Sequence, residues 1–142
     1  MKKILIIACA VIAFSACNNT ASKTDEKVEQ GVAVSAEDAA KMTFEKEIYD
    51  FATIQQGEKV HYDFKFKNTG KSPLIITNAT ATCGCTEPEF PKEPVKPGEE
   101  GLIKVTFNSD GKKGMQDKVI TITSNANPQA NELHLVGDVK VK

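Results

Sequence analysis

The chain has 142 residues, room for one domain of ordinary size and no second core. Its 18 basic residues are all Lys, set against 19 acidic ones, and Trp is absent. Without a guanidinium fork to grip phosphate or spare aromatic surface to stack bases, the chain is not expected to take nucleic acid as a partner.

Met1 to Phe14 has the order of an export signal, with Lys2 and Lys3 as a basic start and Ile4 to Phe14 as an apolar run. The run is too short to cross a bilayer, which needs roughly 20 apolar residues. It ends in Phe14-Ser15-Ala16-Cys17, which resembles the lipobox of bacterial lipoproteins. Ordinary secretion is the competing reading, but an ordinary signal peptidase wants a small side chain where Phe14 stands. The resemblance implies cleavage before Cys17 and lipid on its sulfur, with more than one acyl chain, which is what stable anchoring requires. By analogy with lipoprotein sorting, Asn18 rather than Asp after that Cys points to the outer membrane. Residues 1–16 are thus expected to be signal peptide, and 17–42 the lipidated Cys with a flexible tether. Asn18 to Met42 holds almost no large apolar residue and cannot bury enough surface to offset its ordering entropy. Ser35 with Asp38 predicts a short helical cap running through Lys41. Loss of the signal leaves 16 Lys against 19 acidic residues, a mildly acidic mature protein.

From Thr43 to Lys142 the pattern changes to a period of two. Phe44 to Ile48 reads as a strand, and then Val60, Tyr62, Phe64 and Phe66 alternate with His61, Asp63, Lys65 and Lys67. Asn68-Thr69-Gly70 supplies turn chemistry, and Pro73-Leu74-Ile75-Ile76 opens the next strand. Further strands are predicted at Leu102 to Phe107, at Val119 to Thr123 and at Leu133 to Val141. Short strands separated by Gly, Pro and Asn are the pattern of an antiparallel β-sandwich, with a closed barrel as the alternative. Pro91, Pro94 and Pro97 predict a stiff crossover between sheets, and Gly111-Lys112-Lys113-Gly114 a hairpin turn.

Cys83-Gly84-Cys85 is the one constellation with chemical promise, since Cys9 leaves with the signal and Cys17 takes lipid. In an extended segment such residues share a face, with Cα atoms about 6.5 Å apart, near the upper limit for a disulfide. Three readings stay open: a tight, reducible bridge; a soft-metal site for Cu(I) or Zn; and a pair that merely staples or packs a strand end. Metal partners are scarce. His61 and His134 both fall on polar phases of their strands, Met42 lies in the tether and Met115 in a loop. No catalytic elbow, zinc-protease helix or phosphate loop occurs, so no enzyme and no cofactor beyond the lipid on Cys17 are expected.

Phe51-Ala52-Thr53-Ile54 with Gly57, Phe64-Lys65-Phe66-Lys67-Asn68-Thr69-Gly70, Pro73-Leu74-Ile75-Ile76, Cys83-Gly84-Cys85-Thr86 and Pro97-Gly98 follow one another in the order typical of one bacterial family. The chain resembles domain of unknown function 1573 from about Thr43 to Val141, with Ala52 where that family commonly has Gly. The resemblance implies an immunoglobulin-like sandwich in an envelope lipoprotein, and carries no established activity. The expected role is a non-enzymatic binding or scaffolding module, anchored to a membrane and meeting a protein partner. The rival is an envelope thiol or copper handler working through Cys83 and Cys85.

Overall fold

A computed structural model describes residues 38–141. The export signal, Cys17 and most of the expected tether lie outside the described residues. Among the described residues eight strands follow in order: β1 (Met42–Phe44), β2 (Ile48–Gln55), β3 (Lys59–Asn68), β4 (Ile76–Ala81), β5 (Thr86–Glu89), β6 (Glu100–Asn108), β7 (Gly114–Ser124) and β8 (Ala130–Lys140). They form two four-stranded sheets, ordered β1-β3-β6-β5 and β2-β8-β7-β4. The sandwich expected from the period-two pattern is therefore present, with one departure. β2 runs parallel to β8, and every other neighbouring pair is antiparallel.

Alternation explains the core. Phe64 and Phe66 of β3 with Ile103, Val105 and Phe107 of β6 face Ile120, Ile122, Leu133, Leu135 and Val139 of β7 and β8, each at most 1% exposed. Each such burial contributes about 1.5–3 kcal/mol before entropy is charged against it. On β8 the inward phase is interrupted at Gly137, where a side chain would strike the Phe51 ring and come within 2.7 Å of the Ala52 carbonyl oxygen. That gap is what lets β2 lie against its parallel neighbour.

Several boundaries differ from the sequence expectation. The folded body begins before Thr43: Ala40 and Met42 are 1% and 5% exposed, and Ala40 bridges Ala126. The last residues assigned to the 17–42 tether thus belong to the sandwich. Asp38 to Lys41 is turn and bridge, not helix, and the start of the predicted Ser35 cap lies outside the described residues. Phe44 to Ile48 is not one strand, because Glu45 to Glu47 carry the chain from one sheet to the other between β1 and β2. β5 and β6 are neighbours in one sheet, so the Pro-rich segment joining them is no crossover between sheets. Gly111 to Gly114, read as a hairpin turn, instead leads from β6 in one sheet to β7 in the other.

β2 escaped the alternation rule because it carries a bulge between Asp50 and Thr53 that resets its phase. At the bulge Ala52 takes a φ of 59°, and its N–H donates to Asp50 Oδ1 at 2.7 Å. A left-handed alanine costs about 1–2 kcal/mol that glycine avoids.

Asn68 is fully buried, at 0% exposed, and every polar atom of its side chain is used. Its Nδ2 donates to the carbonyls of Ser72 and Val95, both at 2.9 Å, while Oδ1 accepts from the N–H groups of Gly70 at 3.0 Å and Lys41 at 3.4 Å. Gly70 completes the arrangement by having no side chain, since a Cβ there would collide with the backbone of Ala39 to Lys41.

Two stability measurements follow from these backbone devices. Asn68→Ala, which orphans buried carbonyls and amides, should lower the unfolding free energy by about 2–4 kcal/mol and Tm by roughly 10–20 °C. Ala52→Gly should act the other way and raise stability by about 1 kcal/mol in chemical denaturation, with the denaturant slope unchanged.

Candidate functional site

Strand register fixes which loops share an end of the sandwich. β3 runs from Lys59 to Asn68; Met42 pairs with Asn68, and Phe107 pairs with both Val60 and Thr86. The chain therefore enters the body at one end, and Cys83-Gly84-Cys85, just before Thr86, lies at the other. About 26 Å of strand separates the two levels.

The Cys segment is the link from β4, the edge of one sheet, to β5, the edge of the other. Its backbone is tied down on both sides: Thr82 N–H donates to the Val119 carbonyl at 3.1 Å, and Asn108 N–H to the Cys85 carbonyl at 2.8 Å. A turn between them is closed by Thr86 N–H donating to the Cys83 carbonyl at 3.2 Å. That bend brings the two Cα atoms to 5.3 Å and joins the sulfurs in a disulfide. Both cysteines are half-buried, Cys85 packing against the core, and Gly84 between them is exposed. Nothing lies within 4 Å of where a Gly84 side chain would begin. Thr86 is 4% exposed, and its hydroxyl sits 3.7 Å from Cys83 Sγ and 3.9 Å from Cys85 Sγ.

One lysine approaches the core at this end. Lys118 stands on the inward phase of β7 with its ammonium 5.4 Å from the centroid of Phe107, the ring directly across from Thr86. Burial lowers its pKa, Lys112 lowers it further, and Asp117 works in the opposite direction. No carboxylate and histidine set converges on the sulfurs: among the described residues, no group of three or more His, Cys, Asp and Glu is placed to hold a metal. In the bridged form neither sulfur is a thiolate, the species a soft metal needs. His61 is exposed with Nδ1 3.0 Å from Thr106 Oγ1, and His134 Nδ1 is 2.9 Å from Asp117 Oδ1. Met42, expected in the tether, is buried, and Met115, expected in a loop, is the second residue of β7 with 77% of its surface exposed.

A second feature lies on the far side of the same sheet. β1 covers only the last three residues of β3, Phe66 to Asn68, and Glu45 N–H adds one bond to the Lys65 carbonyl. By the alternation of an antiparallel ladder, Lys59, His61 and Asp63 turn their N–H and C=O groups the same way as Lys65, outward. No strand among the described residues lies beyond them. This open edge borders a groove of about 560 Å³ lined by Glu45, Lys46, His61, Tyr62, Asp63 and Lys65. Tyr62 is held beneath it by a stack on Tyr49 of β2, with ring centroids 3.7 Å apart.

Two four-stranded sheets packed face to face, with the chain passing between layers from β1 to β2 and from β4 to β5, define an immunoglobulin-like sandwich. The family of proteins of unknown function DUF1573 matches residues 42–139, and the chain belongs to that family. No curated protein matches the sequence. Among solved structures, a protein of unknown function from Porphyromonas gingivalis W83 is 16% identical with a TM-score of 0.65, covering 77% of this chain and 51% of its own. The chain thus spans about half the length of that relative. The ASH/PapD-like domain 7 of human CEP192 is 10% identical with a TM-score of 0.60, covering 94% of this chain and 99% of that domain. A secreted serine protease, VesC of Vibrio cholerae, contains a similar fold over 23% of its length, at 12% identity and a TM-score of 0.55. At these identities the likeness is one of fold.

Thr86 and the β3 edge were not singled out from the sequence. The hydroxyl's aim at the sulfurs depends on the turn at Gly84, and the edge on how short β1 is. Since the bridge closes so small a ring, chain entropy limits its stabilisation to about 1.5 kcal/mol. Cys83→Ser with Cys85→Ser should therefore leave a folded sandwich whose unfolding free energy falls by no more than about that amount in a urea titration.

Proposed function

We propose that the protein is a non-enzymatic binding or scaffolding module of the bacterial cell envelope. Lipid on Cys17 holds it to a membrane, with the outer membrane facing the periplasm as its site, and it meets a protein partner along the open edge of β3. The edge is the observation that carries this reading. Lys59, His61 and Asp63 offer a row of unpaired backbone groups, the template onto which an extended segment of another chain adds as a strand. The flanking groove gives side chains of that segment a place to lie, with Lys46 and Lys65 beside Glu45 and Asp63 to meet polar groups of either sign. The same lysines keep the edge from pairing with copies of itself. The lipobox-like Phe14-Ser15-Ala16-Cys17 supports the anchor, and the body receives its chain at the end away from the Cys pair, which leaves the β3 edge along the flank. No cofactor other than the lipid enters this reading.

The test uses the full-length protein in its own envelope. Cys17→Ser should shift it from the membrane fraction to the soluble one. His61→Pro removes an outward N–H and the exposed imidazole contact to Thr106 Oγ1 but no ladder bond to β6, so the sandwich should keep its circular dichroism spectrum while a cross-linked partner band seen with the wild type disappears. A band of equal intensity with His61→Pro would refute the edge as the contact.

A further inference from the structure

The Thr86 hydroxyl is buried, yet its only hydrogen-bond partners among the described residues are the two sulfurs of the bridge. A disulfide sulfur is a weak acceptor, whereas a thiolate accepts strongly. A buried hydroxyl held against such a pair is thus better satisfied after reduction than before it. The bridge is open to a reagent, because Gly84 is exposed and presents no side chain over it. It is also dispensable to the crossover, whose backbone is fixed by the bonds of Thr82 to β7 and of Cys85 to β6.

The geometry points to Cys83–Cys85 as a reversible thiol–disulfide exchange site, taking the dithiol of a reductant as its co-substrate, with Thr86 as the hydroxyl that receives the released thiolate. Cys83, not packed against the core as Cys85 is, takes the attack. A thiolate of the dithiol bonds to Cys83 Sγ, the disulfide breaks, and its electron pair leaves on Cys85 Sγ, where the Thr86 O–H donates to it. The second thiolate of the reductant then attacks its own partner sulfur, closes a new disulfide there and releases Cys83 as a thiolate. Two protons from the dithiol end on Cys83 and Cys85, so two electrons and two protons pass from reductant to protein. This site is independent of the β3 edge and stands or falls without it.

The experiment exposes the full-length protein in detergent to dithiothreitol under native conditions. Alkylation and mass spectrometry then follow the peptide that carries both cysteines. The bridge should open while the β-sheet circular dichroism is retained, and reoxidation should restore it. Thr86→Val should slow opening by about fivefold to tenfold, and Thr86→Ser should remain within about twofold of the wild type. A wild-type bridge that opens only once denaturant unfolds the sandwich overturns the site, whatever the variants do. Equal rates for Thr86→Val and the wild type overturn the role of the hydroxyl.

Discussion

The side chain of Asn68 is the constraint on which the rest of the body hangs. It lies at the end of β3, fully buried, and gathers three separate segments: the incoming chain at Lys41, the turn at Gly70 and Ser72, and the Pro-rich loop at Val95. The main chain doubles the link, with Asn68 N–H donating to the Glu99 carbonyl and Gly98 N–H to that of Asn68. Only a carboxamide offers two donors and an acceptor at this reach; Asp would lack the donors and Leu all of them. Because each of these segments is irregular, its backbone groups would otherwise be stranded at the rim of an apolar core. Ser109, likewise 0% exposed, plays the same part at the opposite end, accepting from Gly57 N–H and donating to the Glu58 carbonyl. Two buried polar residues thus close the two mouths of the sandwich.

Those closures determine what is left free. At the Asn68 end the loops are bonded to one another, including Asn127 N–H to the Ala40 carbonyl and Ile75 N–H to Asn125 Oδ1. That end is a plug through which the chain arrives. At the Ser109 end, Asn108 N–H holds Cys85 beside the closure, and the bridge faces out from a rigid support.

Much of the fold was legible because β3, β6 and the inward halves of β7 and β8 alternate cleanly, and alternation is the direct consequence of one wet and one dry face. β2 was not legible, since its bulge at Ala52 breaks the phase and leaves Ile48 59% exposed. β5 was missed because four residues carrying Pro88 read as loop, and Met42 because a short strand has no period to count. The Pro-rich segment was misplaced for a related reason: Pro fixes stiffness and removes donors but says nothing about which sheet the chain rejoins. At the candidate site, Cys83 and Cys85 stood out by chemistry alone. Thr86 did not, because a threonine after a cysteine is unremarkable until a turn carries its hydroxyl under both sulfurs.

The order of strands keeps the two candidate activities apart. In the sheet β1-β3-β6-β5, the open edge of β3 and the bridge leading into β5 lie on opposite flanks, with β6 between them. Strands sit about 4.8 Å apart, so the edge and the bridge are separated by two strand spacings and share no side chain. Sites so placed perturb stability nearly additively, and a ligand at one alters the other only through β6. β6 is the most deeply buried strand of that sheet, with Ile103, Val105 and Phe107 at 0–1% exposure, and a packed strand of this kind has no second arrangement to switch into. Coupling between partner binding and the redox state of the Cys pair therefore requires a partner long enough to touch both flanks, and a short strand docked on β3 alone leaves the bridge unaffected.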